Sequence, residues 1–149
     1  MGMYTGLRCK VIIKPEFREE FQFLSERQFE WSDSNIDFLK EFGDYSRSTF
    51  IPNGALSYMP DNWSQEDELG NEIPTDGFDR RFEKDTGLWT FQCSLKDYDD
   101  TIAEFLNKVL IKVVEEVVHL EEFYEEWETG RHYVLSKDGR FDSYRVKER

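Results

Sequence analysis

The first requirement on the fold comes from residues 99–117, DDTIAEFLNKVLIKVVEEV, where apolar side chains recur with the period of an α-helix. The spacing i, i+3, i+4, i+7 lays them along one broad stripe, which must be buried against a partner surface. Thr101 and Glu104 have the spacing of a capping box, and Asp99 and Asp100 bring negative charge to the positive end of the helix dipole. The sequence therefore predicts one long amphipathic helix over residues 99–117. Its stripe consists of Ile102, Phe105, Leu106, Val109, Leu110, Val113, Val114 and Val117.

The N-terminal part of the chain predicts a strand followed by two shorter helices. Apolar and polar residues alternate through residues 4–14, which is typical of a strand with one buried face. Pro15 suits the first turn of a helix, and large apolar residues recur after it at helical spacing over residues 17–24. The same spacing returns over residues 36–42 and stops at Gly43, so we expect a second short helix there.

The middle of the chain predicts a loop and then a hairpin. The segment at about residues 60–77 is acidic, rich in turn-forming residues and poor in apolar ones, which predicts an irregular surface loop. Just before it, residues 55–59 have room for a short strand at most. Residues 78–84 and 88–95 flank a three-residue connection that ends in Gly87, and this arrangement predicts an antiparallel hairpin.

The C-terminal part of the chain leaves one alternative open. Residues 119–128 carry apolar side chains that would continue a helix, but the turn residues that follow them favour a strand, which is the assignment we adopt. Asp138-Gly139 is a strong hairpin signal between two further alternating segments, 131–137 and 140–146. A three-stranded meander should therefore close the sheet.

Taken together, these elements place the chain in the α+β class. We predict a single domain over residues 1–149, with a mostly antiparallel sheet of about 5–7 strands packed against the long helix and the two shorter helices. A chain of this length matches the common domain size of roughly 100–150 residues and can bury a sizeable core.

The formal net charge of -13 limits the classes of partner. A field of that sign repels phosphate backbones and anionic lipid surfaces, so we expect no direct binding to nucleic acid or to membranes. The acidity either serves solubility alone, or it meets a basic partner or imitates nucleic acid. Cys9 and Cys93 lie far apart, which favours buried reduced thiols, and without a leader or an apolar run of membrane length we expect a cytoplasmic protein.

The usual catalytic and metal-binding motifs do not occur in the sequence. His119 and His132 are in no zinc-binding motif, and the acidic segment that begins at Asp61 lacks the glycine that a calcium loop needs. Cys93 is expected in the core rather than as a nucleophile. We therefore predict no catalytic residue, no metal and no cofactor, and an enzyme is the less favoured class.

Two segments are candidates for binding a partner, because they combine aromatic anchors with carboxylates that would steer a basic protein. The alternative is that their aromatic rings pack inward and their carboxylates are the solvated face. If residues 119–128 form a strand, Phe123 and Trp127 share a face with Glu121 and Glu125. The candidate residues are Glu121, Glu122, Phe123, Tyr124, Glu125, Glu126, Trp127 and Glu128, together with Tyr58 and Trp63.

Small size, strong acidity and the lack of catalytic motifs make the chain similar in type to bacterial immunity proteins and to phage inhibitors that imitate nucleic acid. No motif allows residues to be carried over from them. We expect a non-enzymatic protein-binding module, an inhibitor or immunity-type protein that acts on a basic partner. One alternative is a small hydrolase-like enzyme with its site in a cleft between residues 61–77 and the sheet. Another is a structural homo-oligomer.

Overall fold

The computed structural model describes residues 3–26 and 30–145, which form an α+β structure around a six-stranded antiparallel sheet. The strand order is β4-β5-β1-β6-β7-β8, and β2 and β3 form a separate small hairpin. The strands are β1 (Tyr4–Ile13), β2 (Ser64–Glu66), β3 (Glu72–Pro74), β4 (Arg81–Phe82), β5 (Leu88–Lys96), β6 (Val114–Tyr124), β7 (Arg131–Leu135) and β8 (Phe141–Arg145).

The alternating sequence of β1 explains its central position. Leu7, Cys9 and Val11 are fully buried on one face, which we call the first face, while Arg8 and Lys10 point to the opposite, second face. A strand with so apolar a face is stable only between neighbours that continue the core. β5 and β6 provide them, and the predicted strand, hairpin and C-terminal meander are all confirmed.

The helices pack on the first face of the sheet. A 3-10 turn at Pro15–Phe17 leads into α1 (Arg18–Glu26), and the two other short helices are α2 (Asp37–Gly43) and α3 (Phe50–Asn53). The fourth, α4, covers residues 101–113. Among the residues described, no helix combines the length and the apolar character that a membrane span requires.

The prediction of one long helix over residues 99–117 is wrong at its C-terminal end, since α4 stops at Val113 and β6 begins at the next residue. A π-helical segment, Phe105–Leu110, makes up the middle of α4. Val114, Val117 and Val118, which follow Val113, are β-branched. β-Branched side chains lose rotamer freedom in a helix but pack well on a sheet. Pairing with β1 therefore outweighs the helical spacing of Val114 and Val117.

The predicted capping box at the start of α4 does not form either. The Thr101 hydroxyl donates to the Ser46 carbonyl oxygen at 2.6 Å, and so it ties the helix start to the preceding segment instead. Asp97 Oδ1 accepts a hydrogen bond from the Ile102 N–H at 3.3 Å. The Asp97 carboxylate, just after β5, thus accepts a hydrogen bond at the start of α4 in place of the predicted capping box of Thr101 and Glu104.

An aromatic cluster fills the space between the helices and the first face. Trp31 is fully buried, and its ring centroid lies 5.4 Å from that of Phe42 and 5.9 Å from that of Phe105. The Trp31 indole N–H donates to the Ile51 carbonyl oxygen at 2.7 Å. Phe21 and Trp89 extend the cluster, with 5.0 Å between their ring centroids. Helix and sheet therefore meet through large rings.

The two cysteines are free, and both are fully buried on the first face. Burial raises the pKa of the Cys93 thiol and, with a smaller contribution from its neighbour, that of Cys9. We expect neither thiol to react with a disulfide reagent at mildly alkaline pH until denaturant unfolds the protein, because only an accessible thiolate reacts. A thiol titration with and without denaturant measures this. Rapid modification of either cysteine in the native protein would contradict their placement in the core.

Candidate functional site

A row of polar side chains crosses the second face of the sheet on five adjacent strands. The strand register places Arg8 of β1 directly between Gln92 of β5 and Glu121 of β6. Beyond Glu121, the row continues with His132 of β7 and Tyr144 of β8. Because residues opposite one another in an antiparallel sheet point to the same side, these five side chains share one surface.

Part of this face is covered by the segment that the sequence predicted as an irregular surface loop. The segment contains a 3-10 turn at Asp61–Trp63 and the hairpin of β2 and β3. Trp63 and Phe78 are its buried anchors, with 3% and 2% of their surface exposed. Gly6 makes room for it, because a Cβ at that position would collide with Met59 and lie 2.9 Å from the Trp63 ring. The segment is thus packed onto the sheet at both ends.

Arg8 fastens this segment to the sheet. Its side chain is 5% exposed, and Nη2 donates to the Trp63 carbonyl oxygen at 2.9 Å and to Thr75 Oγ1 at 2.8 Å. Nε donates to Gln92 Oε1 at 2.9 Å, and Nη1 lies 3.4 Å from Asp76 Oδ2. Burial lowers the pKa of Arg8, whereas the bond to Asp76 opposes that shift.

The Arg8 guanidinium also lies between two aromatic rings, which explains how a charge can be held here. It is 4.2 Å from the centre of the Phe78 ring and 4.9 Å from that of Trp63. A cation over an aromatic face recovers part of the hydration that it loses on burial. The guanidinium therefore has partners around it and serves as a structural tie rather than as an open anion-binding group.

Beside Arg8, an open groove of about 690 Å³ runs between this segment and the turn from β6 to β7. We call it the acidic–aromatic groove. It lies where the sequence analysis placed the cleft of the alternative enzyme, between residues 61–77 and the sheet. The predicted binding residues that line it are Tyr58, Trp63, Glu121, Phe123, Glu125, Trp127 and Glu128. Two segments far apart in sequence thus contribute to one surface.

Three predicted binding residues lie elsewhere, because side chains alternate between the two sides of a strand. Glu122 accepts a hydrogen bond from the Tyr133 hydroxyl at 2.6 Å, and burial together with this bond raises the pKa of Tyr133. The Tyr124 ring packs against Trp127 at 6.0 Å, and Glu126 is exposed in the turn. The candidate residues of the 121–128 segment are therefore divided, with five of them lining the groove and three outside it.

The charge of the groove is strongly negative. The acidic residues that line it outnumber the basic ones, and they are Asp61, Asp76, Glu121, Glu125 and Glu128. Arg8 is the single arginine or lysine among the lining residues in the described part of the chain, and its charge is already engaged by Asp76. Any positively charged group that approaches the groove would therefore be attracted by carboxylates that lack a cation of their own within it.

Two histidines lie at the floor of the groove, although they belong to no metal-binding motif in the sequence. His119 and Glu121 are two residues apart on β6 and share a face, and His132 is the register partner of Glu121 on β7. Nε2 of His119 lies 2.9 Å from Glu121 Oε1, and Nε2 of His132 lies 3.8 Å from Glu121 Oε2. The available signal was a His-x-Glu pair on a predicted strand followed by a hairpin with a second histidine.

Comparison of the sequence with models of known protein families gives no match. Searches of the curated proteins and of the solved structures give no significant match either.

Proposed function

We propose that this protein is a small binding module whose acidic–aromatic groove receives a lysine- or arginine-rich segment of a partner protein. The observation that carries the proposal is the convergence of Tyr58 and Trp63 with five carboxylate and aromatic positions of residues 121–128 on one concave surface. The two segments together combine the exposed ring of Tyr58 and the partly exposed ring of Trp127 with the carboxylates of Asp61, Glu125 and Glu128. This combination is typical of sites that bind basic peptides.

Tyr58 is the strongest candidate for an anchor. It is 73% exposed, although large aromatic side chains are usually at least half covered. Its backbone has a φ of 60°, a left-handed conformation that is rare for residues other than glycine. Its ring is steadied by Tyr4, 5.4 Å away between centroids. Strained, exposed and well-oriented residues are often found where a protein binds a partner.

Trp127, which lines the groove, already contacts guanidinium groups of the chain's own arginines. The Arg145 guanidinium lies 3.8 Å from the centre of the Trp127 ring, and that of Arg131 lies 5.2 Å from it. Glu128, beside Trp127, is exposed and lines the groove. This edge of the groove can therefore hold a guanidinium group next to a carboxylate, although the Trp127 ring is already shared with Arg145 and Arg131.

The sign of the charge selects the class of partner. Nucleic acid and anionic lipids would be repelled by the net charge of -13, whereas a basic protein would be drawn toward the groove. An inhibitory or immunity-type role follows when the bound segment belongs to the active surface of that partner. The partner of this proposal is thus a protein with a cluster of lysine and arginine residues.

A capture experiment with matched charge variants tests the proposal. We expect the native protein, immobilised and exposed to a lysate of its source cells, to retain a basic protein at low salt and to release it at high salt. The double variant Asp61→Lys with Glu128→Lys should reduce retention by at least about 10-fold, because both positions are exposed in the groove. Quantitative mass spectrometry of the retained proteins measures the difference.

The matched control reverses the same amount of charge on the other side of the molecule. Glu41 and Asp44 are exposed at the C-terminal end of α2, where lysine is compatible with the helix dipole. The variant Glu41→Lys with Asp44→Lys should retain the same basic protein as the native chain. Equal loss in both variants would show that net charge alone explains the binding, and a captured protein without a basic cluster would also contradict the proposal.

A further inference from the structure

The floor of the groove contains a compact cluster of two imidazoles and one carboxylate. One ligand atom each from His119, Glu121 and His132 can be chosen so that all three atoms lie within 4.8 Å of one another. The side chains are partly buried, with exposed fractions of 35%, 14% and 19%. The cluster contains both histidines of the chain, and Glu121 lies between them in space.

We propose that His119, Glu121 and His132 bind a divalent transition-metal ion of the zinc type. Two imidazole nitrogens and a carboxylate oxygen form a donor set that suits Zn²⁺ and the related ions Fe²⁺, Co²⁺ and Ni²⁺. Calcium and magnesium prefer oxygen ligands alone, so this donor set disfavours them. The site goes beyond the proposed binding of a basic segment and does not depend on it.

The distances between the ligand atoms are near those that such an ion requires. Around a tetrahedral metal with bonds of about 2.0–2.1 Å, the ligand atoms are about 3.4 Å apart. His119 Nε2 to Glu121 Oε1 is 2.9 Å, and His132 Nε2 to Glu121 Oε2 is 3.8 Å. These values lie on either side of the ideal separation but involve the two different oxygens of Glu121, and the three ligand atoms as a set lie within 4.8 Å. Side-chain rotations that draw the three atoms together would complete the coordination.

The sheet holds the three ligands in place. β6 sets His119 and Glu121 on one face, and the pairing with β7 brings His132 opposite Glu121. The ring of His119 packs edge-on against Phe78 at 5.1 Å, and that of His132 stacks on Tyr144 at 5.4 Å. Gly130 leaves space for the carboxylate, because a Cβ there would collide with the Glu121 side chain. Ligands fixed in this way lose little entropy on binding a metal.

The surroundings favour a cation at this position and offer few competing ligands. Glu125, Glu128 and Asp61 line the same groove and contribute negative potential. Two positive groups lie next to the cluster in register, Arg8 opposite Glu121 and Lys10 opposite His119. The Arg8 charge is shared with Asp76, and Lys10 Nζ donates to the Asp76 carbonyl oxygen at 2.6 Å. Both cysteines are fully buried on the first face, so their sulfur atoms are out of reach of an ion in the groove. Three protein ligands leave one coordination position open toward the groove, as in zinc sites that bind a further ligand.

Calorimetric titration of tag-free protein with Zn²⁺ tests the inference without any partner. We expect one high-affinity site per chain, and we expect His119→Gln and His132→Gln each to weaken it about 100-fold, since each removes one of three ligands. Glu121→Gln should weaken it strongly, whereas Glu122→Gln should leave it within about twofold. The last variant is the matched control. Glu122 follows Glu121 in the same strand, but its side chain lies on the opposite side and contacts Tyr133.

Nuclear magnetic resonance gives a second readout on the native protein and requires no substituted variant. With two histidines in the chain, every imidazole signal reports on the site, and one equivalent of Zn²⁺ should shift both sets of signals together. Weak binding of several Zn²⁺ ions per chain, or an equal loss of Zn²⁺ affinity in Glu121→Gln and Glu122→Gln, would show adsorption to the acidic surface. Either result would overturn the inference. Imidazole signals that stay unchanged after one equivalent would overturn it as well.

Discussion

Replacement of Arg8 with alanine should lower the free energy of unfolding by about 3 kcal/mol, because the variant loses charged hydrogen bonds and two cation–π contacts at a buried position. The Trp63 carbonyl oxygen would keep one donor, Gln92 Nε2 at 3.0 Å, but Thr75 would lose its contact with the sheet. The segment over the second face should loosen and Trp63 should become exposed. Denaturant unfolding followed by tryptophan fluorescence measures both effects.

Two comparisons make this prediction specific. Arg8→Lys keeps the charge but loses the planar fork that reaches Trp63, Thr75 and Gln92 at once, so it should fall between the native protein and the alanine variant. Arg140→Ala removes an exposed ion pair with Asp138 in the turn between β7 and β8, and it should change stability by less than about 0.5 kcal/mol. Equal stability of Arg8→Ala and Arg140→Ala would contradict the role of Arg8 as a tie.

Replacement of Trp31 with alanine should cost about 3–5 kcal/mol, because it empties the centre of the aromatic cluster and removes the hydrogen bond to the Ile51 carbonyl. Native domains are stable by only about 5–15 kcal/mol, so the variant should unfold at a temperature lower by roughly 10 °C or more. Thermal unfolding followed by circular dichroism measures the change.

The same substitution at Trp127 is the natural control. Trp127 is only partly buried at the rim of the groove and lies outside the core, so Trp127→Ala should cost about 1 kcal/mol or less. Trp31→Phe should be intermediate, since it keeps most of the ring volume but loses the indole N–H. If Trp31→Ala were as mild as Trp127→Ala, the cluster around Phe42 and Phe105 would not be the centre of the core.

Local periodicity predicted most of the elements that lie within one segment. The alternation in residues 4–14, the hairpin at Gly87 and the turn at Asp138-Gly139 each depend on neighbours in sequence, and the structure confirms all three. The end of α4 could not be predicted in the same way. Val114 and Val117 fit the helical stripe, and what removes them from it is pairing with β1, which lies about a hundred residues earlier in the chain.

The candidate site shows the same division between local and distant information. Sequence patterns singled out Tyr58, Trp63 and the residues of 121–128, but they could not show that seven of these ten residues meet in one groove. They did not indicate the role of Arg8, and they placed the two histidines in no metal-binding motif, because the proximity of these residues arises from strand register. His119 and His132 come together with Glu121 only because β6 and β7 pair at one particular offset. A shift of one residue would place them on opposite faces.

The measurement that addresses the central claim most directly is a nuclear magnetic resonance titration of the protein with an oligo-lysine peptide at low salt. The chain contains four tryptophans, of which Trp63 and Trp127 line the groove while Trp31 and Trp89 lie in the core. Binding in the groove predicts saturable shifts of the Trp63 and Trp127 indole signals, with Trp31 and Trp89 unchanged, and their loss in Asp61→Lys with Glu128→Lys. Small shifts that spread evenly over all exposed acidic residues, without saturation at Trp127, would contradict the proposal that the groove binds a basic segment.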